Sequence, residues 1–402
     1  MNKVAHWTVL AALFIIPFLV LYVDGTIYFP FIAGKGFAFR MLVEIALAGW
    51  IVLAFADKRY RPKFSWVLVF FAAFILWMGI ANLFAMNPHK AFWSNYERME
   101  GWVTLVHLFL FFVVAGSVLT VDKLWRRWWL TFIGASALIC GYGILQILGL
   151  AQIHQGGIRL DASLGNSEYL AGYLLFAVAV TLWQALDLRE KKERLLRYAL
   201  FALAALQVAI LIGTGTRGTF VGLLAAAGFG TLLWLVEAGK HGRRNAALVL
   251  VGLVVLVGGF FAAQKTTFVM ENEVLSRFSA ISLKDMEVRF LIWDMAFEGF
   301  KEKPITGWGQ EGFNYVFAKY YNPALYGQEP WFDRAHNMYL DWLISGGAPA
   351  LLLFLALFIS AVVALYRGAA SRPERILIMS AFVAYGVQGL GVFDNLFTYI
   401  PL

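Results

Sequence analysis

Cysteine and charge are the scarce components of this 402-residue sequence. The single cysteine, Cys140, lies in an apolar run, which excludes a disulfide framework and any multi-cysteine zinc or iron–sulfur site. An ordinary soluble domain is ~25% charged and ~45–50% apolar. Here 14% of residues are charged and 61% are apolar. A water-soluble fold of this length cannot hide that much apolar surface, so the composition predicts an integral membrane protein. No P-loop or GxGxxG motif opens a cytoplasmic helix, which argues against an ATP-driven pump. The ten aspartates include no D-x-D pair, a metal–nucleotide handle of sugar-nucleotide transferases. There is no long-period repeat, heptad register or low-complexity tract.

What the chain does have is long apolar runs. A helix needs about 20 apolar residues to cross ~30 Å of hydrocarbon. Eleven such spans are read near 5–23, 38–56, 64–84, 102–120, 128–150, 168–186, 198–214, 218–237, 246–263, 347–366 and 376–393. The first is not a cleaved signal, because Lys3 is its only basic flank and no A-x-A-like site ends it. Lys and Arg fix the orientation. One set of loops, from Lys3 to Arg375, holds 19 of them. The opposite short loops hold six: Lys35, Arg40, Lys90, Arg98, Arg159 and Arg217. This places the N-terminus in the cytoplasm. The remaining eight fall in one long outer loop, and long loops escape the rule. The cytoplasmic loops carry +12 and everything else −4, so the net charge of +8 is a topology signal and no nucleic-acid partner is expected.

The chain is therefore expected to be an all-α polytopic membrane protein. It divides into a helix bundle over 1–263, a periplasmic loop domain over 264–337 and C-terminal membrane helices over 338–402. The loop carries folding signals of its own. Segment 287–301 reads as an amphipathic helix with Leu291, Ile292 and Met295 on one side. Pro304 and the glycines of ITGWGQEG then break it. The aromatic-rich stretches that follow suit a structure lying at headgroup level, with or without chemistry.

Three outer positions stand out. Arg217 sits in LIGTGTRGTFVG, a tight turn at a helix start whose glycines expose backbone N–H groups able to hold an anion. It could equally be a snorkelling arginine at the interface. Arg289 lies on the loop helix, where a solvated face is the plainer role. His336 lies beside Asp333, Arg334 and Asn337 at the mouth of an apolar helix, and an ordinary pKa near ~6.5 suits it to accept a proton. Arginines bind phosphates bidentately, and a histidine can deprotonate an attacking hydroxyl. Together they suggest transfer of a group from a lipid pyrophosphate to a hydroxyl. Glu44, inside the second span, is read as structural, pairing with Arg40 or staying protonated. Gln146 and Gln207 are read as bridges between helices.

These residues resemble the O-antigen ligase family of bacterial envelope glycosyltransferases, which includes O-antigen polymerases and protein O-oligosaccharyltransferases. The likeness rests on WSNYERMEG (93–101), LGNSEYLAGYL (164–174), GTGTRGTFVG (213–222) and the region 288–347, which runs from VRFLIW through GWGQEGF to AHNMYLDWLISGG. Its most specific part is His336 and Asn337, followed by nine residues and Gly347. Ala350 fills a position that is small or hydroxyl-bearing in the family. The resemblance implies a GT-C-like fold in the bacterial inner membrane, with a site facing the periplasm and no metal or other cofactor. It implies a glycan on undecaprenyl pyrophosphate as donor and lipid A–core or another hydroxyl as acceptor. By motif, Arg217 and Arg289 would bind the pyrophosphate, with Arg98 and Arg159 as weaker candidates. His336 would activate the acceptor, and the reaction would invert configuration. Glu97, Glu100, Asn166, Asn337 and Asp333 are weak candidates for sugar hydroxyls. The family has about twelve spans, so the last is expected to be missing or truncated here. A polymerase, a protein oligosaccharyltransferase and a lipid transporter remain alternatives. A transporter is disfavoured because Glu44 is the only acid deep in a span and the two halves show no symmetry.

Overall fold

A computed structural model describes residues 2–188, 190–279, 286–327, 331–368 and 370–402. Among them there are helices and turns but no strand. Among the described residues, nine helices are long and apolar enough to cross a membrane by length and composition. Every expected span is a helix, but the span read at 102–120 is the shorter Trp102–Val118 and the last is Arg372–Gln388, of 17 residues. The chain is a multi-pass membrane protein.

The chain forms two compact units. The first comprises residues 1–135, 286–367 and 393–400. It contains α1 (Asn2–Ile15), α2 (Ala33–Ala56), α3 (Trp66–Leu83), α4 (Pro88–Trp93), α5 (Trp102–Val118) and the first part of α6 (Asp122–Ile147). Ser65 starts α3 by accepting a bond from the Leu68 amide at 3.1 Å, and Asn87 starts α4 by accepting from Lys90 at 3.0 Å. The arginine in the second turn of α2 is buried and held. Arg40 donates to Met99 O and to Thr104 Oγ1 at 2.6 Å. Glu44 does not need it, because its carboxylate meets His107 Nε2 of α5 at 3.2 Å.

The second unit comprises residues 136–285, 368–392 and 401–402. It holds the rest of α6, then α7 (Ser167–Asp187), α8 (Arg194–Gly213), α9 (Arg217–Glu237), α10 (Lys240–Ala263), α11 (Thr267–Glu271) and α12 (Glu273–Ser279). Gln207 of α8 donates to Ser136 Oγ at 2.8 Å and Thr181 Oγ1 at 3.0 Å, which ties three helices together without a charge. Gln146 differs from its expected role. It holds a loop, donating to Gln152 O and Asp161 Oδ1 and accepting from the Asp161 and Ala162 amides. Gly222 of α9 lets a neighbouring helix come close, since a Cβ there would sit 2.7 Å from the Ala384 carbonyl. Valines and leucines along α10 stay exposed, as lipid-facing side chains would.

The first unit continues with α13 (Glu287–Glu302), α14 (Phe313–Lys319) and α15 (Met338–Arg367). The helix expected at 287–301 is α13, and it buries Ile292, Met295, Ala296 and Gly299. These residues pack with Trp308, Phe313, Val316 and Phe317 and with Leu343 and Ile344 of α15. The second unit adds α16 (Arg372–Gln388), opened by a capping box of Ser371 and Glu374. The first closes with α17 (Leu396–Tyr399), capped by Asn395.

Helix α15 is two helices joined at a break. Gly347 has φ 70 and ψ −171, a conformation that L side chains rarely adopt. A Cβ there would collide with the Ile305 carbonyl. The carbonyls freed by the break find other donors. Trp308 N reaches Ile344 O at 2.7 Å, Gly309 N reaches Ser345 O at 3.1 Å, and Trp77 Nε1 of α3 reaches Gly346 O at 2.7 Å. In return Ala348 N donates to Pro304 O at 2.8 Å. The break therefore anchors the 304–309 loop against the start of α15, just after His336.

Candidate functional site

In the first unit, the 93–101 loop, the 307–314 stretch and residues 332–341 come together. The cluster contains two buried ion-pair systems. Arg98 grips Asp333 with both arms of its fork, Nε to Oδ2 at 2.5 Å and Nη2 to Oδ1 at 2.9 Å. Its guanidinium also lies 4.6 Å from the centroid of the Phe393 ring. Burial alone would raise the Asp333 pKa, but the bonds and charge of Arg98 outweigh it and hold the carboxylate below its ordinary value. Arg334 is shared between Glu311 Oε1 at 2.5 Å and Glu100 Oε2 at 3.2 Å. Burial would lower the Arg334 pKa, yet Glu311 and Glu100 raise it above its ordinary value. Burial pushes the Glu100 carboxyl up to about 8, against the pull of Arg334 and Arg98. Gln310 pins this loop by donating to Glu100 O at 2.8 Å, while its amide donates to Asn82 Oδ1 at 2.9 Å.

His336 sits at the centre of this arrangement in a strained backbone, with φ 50. Among the described residues, four of the five non-glycine residues with positive φ lie in these segments: Ser94, Met99, Glu311 and His336. Such conformations cost ~1–3 kcal/mol each and collect where function demands them. The imidazole packs edge-on between Phe332 and Phe393, at centroid distances of 5.5 and 5.2 Å. Its Nδ1 is buried and makes no hydrogen bond to any described residue. Burial, and after it the positive charge of Arg289, lower the His336 pKa to about 3; Asp333 opposes them. The ring is therefore neutral at neutral pH, the form that accepts a proton.

Other expected residues of this unit have local duties. Asn337 Oδ1 accepts from the Tyr339 and Leu340 amides at 3.0 and 3.2 Å, capping α15. Glu97 is half-buried and forms no ion pair with a described residue. Arg289 is half-buried on α13. Asp341, which the sequence reading passed over, ties Ala335 N to the first turn of α15 at 2.8 Å.

The second unit holds the other candidates. Arg217 is the first residue of α9, after the Gly213–Thr216 turn. Three guanidinium groups converge on that turn. Arg217 Nε donates to Arg277 O at 2.9 Å, Arg277 Nε to Gly215 O at 3.4 Å, and Arg159 Nε to Thr214 O at 2.9 Å. Arg159 also reaches Thr216 Oγ1 at 3.2 Å. Burial lowers the Arg159 pKa, and the charges of Arg277 and Arg217 add to that against Glu168. Several positive charges beside a helix N-terminus make a suitable seat for a polyanion. Asn166 caps α7, accepting from the Glu168 and Tyr169 amides. The structure brings Arg159 and Arg217 together on this turn. Arg277 was missed, because basic residues of the long loop carry no topological weight and it has no motif of its own.

Residues 199–355 match the family model described as O-antigen ligase. That span includes Arg217, Arg277, Arg289, Arg334 and His336. No curated protein matches the chain.

Proposed function

We propose that this chain, a member of the O-antigen ligase family over residues 199–355 and so a membrane glycosyltransferase of the ligase/polymerase type, moves a glycan from undecaprenyl pyrophosphate to a hydroxyl of lipid A–core. The site faces the periplasm, in the inner membrane, on a GT-C-like scaffold. The observation that carries this reading is the buried, neutral His336 at a strained position under the influence of Arg289.

The acceptor hydroxyl attacks the anomeric carbon opposite the pyrophosphate. A new C–O bond forms, the C–O bond to phosphate breaks, and the pyrophosphate leaves with the bonding pair. Attack from the opposite face inverts the anomeric configuration. His336 takes the hydroxyl proton. Arg289 neutralises the leaving pyrophosphate. In the second unit, Arg217, with Arg159 as a lesser contributor, offers a seat for a polyanion of its own. Arg98 is a positioning residue, because its fork is committed to Asp333. The resting His336 is a weak base because burial, and after it the charge of Arg289, lowers its pKa. The negative charge of the donor offsets that arginine, so the imidazole gains basicity when the donor arrives.

The test is transfer by purified protein with a defined polyprenyl-pyrophosphate glycan and lipid A–core. His336→Ala is expected to lose activity by ~10²–10⁴-fold while still inserting and folding. Full transfer by that variant would refute the base. The product separates the related reactions. A ligase leaves glycan on lipid A–core, a polymerase leaves it on polyprenyl pyrophosphate, and a protein oligosaccharyltransferase leaves it on Ser or Thr.

A further inference from the structure

Glu44 has no part in the proposed reaction, yet its position is costly. It is the twelfth of the 24 residues of α2, so it lies near the middle of the hydrocarbon that the helix crosses. Its side chain is nevertheless 65% exposed. A glutamate is too short to snorkel to the interface from that depth, and an ionisable group facing lipid is expensive. Arg40, one turn earlier, does not relieve it, being spent on Met99 O and Thr104 Oγ1. His107 of α5 relieves it in part, with Nε2 at 3.2 Å from Glu44 Oε1.

The protons of this pair can be placed. His107 Nδ1 lies 2.7 Å from Val103 O, and a carbonyl only accepts, so Nδ1 carries a proton. One further proton holds the Nε2 to Oε1 contact. It sits on the carboxyl beside a neutral ring, or on Nε2 beside a carboxylate. The pair is neutral overall in both forms, and in both Glu44 Oε2 can only accept. No described residue donates a hydrogen bond to that oxygen.

The surface around Glu44 has the period of a helix-binding seam. Phe37, Met41, Glu44, Ala48, Ile51 and Phe55 are all exposed, and their spacing alternates four and three residues along α2. The opposite side, with Phe39, Val43, Ala46 and Leu53, is buried in the unit. Alternation of four and three is the a/d pattern by which two helices pack with a left-handed crossing. A single polar position in such a seam fixes register, and Ala48, one turn from Glu44, permits close approach.

We propose that the exposed seam of α2 docks one transmembrane helix of a partner protein, which places a hydroxyl or amide donor opposite Glu44 Oε2. Acyl chains have no donor to offer this oxygen. A second copy pairing seam to seam would set Oε2 against Oε2 at equal depth, two acceptors with no proton between them. A neutral donor completes the group and brings no net charge into the membrane.

The test is fluorescence resonance energy transfer in proteoliposomes. The full chain carries a donor dye at Lys58→Cys, the cytoplasmic end of α2, in a Cys140→Ser background. The probes are acceptor-labelled leucine-host transmembrane peptides with Asn, Ser or Leu at the centre, diluted until each alone is monomeric. The Asn peptide is expected to associate about fivefold more tightly than the Leu peptide, with Ser between them. Glu44→Leu should abolish that preference. Ala48→Trp leaves the carboxyl in place but blocks the seam, and should weaken association of every peptide. Leu76→Trp, on the exposed face of α3, should change nothing. The melting midpoint of each variant verifies its fold. Equal binding of the Asn and Leu peptides, or a preference that survives both Glu44→Leu and Ala48→Trp, would overturn the proposal. So would energy transfer between two differently labelled chains without peptide that Glu44→Leu removes, because the seam would then belong to a second copy.

Discussion

Arg98 and Asp333 separate two explanations of why charged residues gather at the first unit's cluster. Each could touch substrate, or the two could exist for each other. The geometry favours the second: two parallel N–H to oxygen bonds, side chains 12% and 10% exposed, and an aromatic ring beneath the guanidinium. Removing one member of a pair this buried leaves the other uncompensated, at a cost of about 3–5 kcal/mol. Removing both to neutral isosteres costs far less, because no buried charge is stranded. Arg98→Gln and Asp333→Asn should each destabilise the cluster by about 3 kcal/mol, roughly a hundredfold in its opening equilibrium. The double variant should be no worse than either single one, giving a coupling energy of at least about 3 kcal/mol, at the upper end for contacting residues. Denaturant unfolding in detergent gives the global number, and hydrogen exchange over 331–337 gives the local one. Transfer rates should follow the same cycle. Additive losses would refute the pairing, as would an Arg98→Gln variant that keeps full stability but loses donor binding.

Two further outcomes follow from the same cluster. A base must be neutral to accept a proton, and His336 becomes protonated only as pH falls through a folded pKa of about 3. The kcat/KM profile should therefore lack an acid limb near ~6.5. In Arg289→Gln a limb should appear at higher pH than in the wild type, because a charge that disfavours the imidazolium is gone. A wild-type limb near the ordinary histidine value, or no movement in Arg289→Gln, contradicts this. Gly347→Ala should cost of order 1–3 kcal/mol for the backbone alone, and its Cβ would displace the Ile305 carbonyl. Faster hydrogen exchange over 304–311 and loss of transfer with normal membrane insertion are expected, and wild-type activity would contradict them.

What the sequence made legible is what depends on neighbours along the chain. Apolar runs mark the spans, a 3.6-residue pattern marks α13, and a span read to begin at 347 coincides with the break at Gly347, because the residues around it (GGAP) interrupt the pattern. Charge networks depend on partners that are distant in sequence. Arg98 and Asp333 lie 235 positions apart, and Arg334 and Glu100 lie 234 apart. Read one at a time, Arg98 resembled a phosphate ligand and Asp333 and Glu100 resembled sugar ligands. Paired, the first two satisfy each other, and Glu100 shares with Glu311 the arginine that holds both. The same logic runs the other way for Asp341, which looked like an ordinary acid in the first turn of a membrane helix. A carboxylate at a helix start is expected to spend its oxygens on nearby amides. Asp341 spends one and leaves the other buried beside a pocket. An ionisable side chain thus becomes informative about substrate only after its protein partners have been subtracted. By that criterion, Asp341 and His336 carry more information than the better-paired arginine and aspartate beside them.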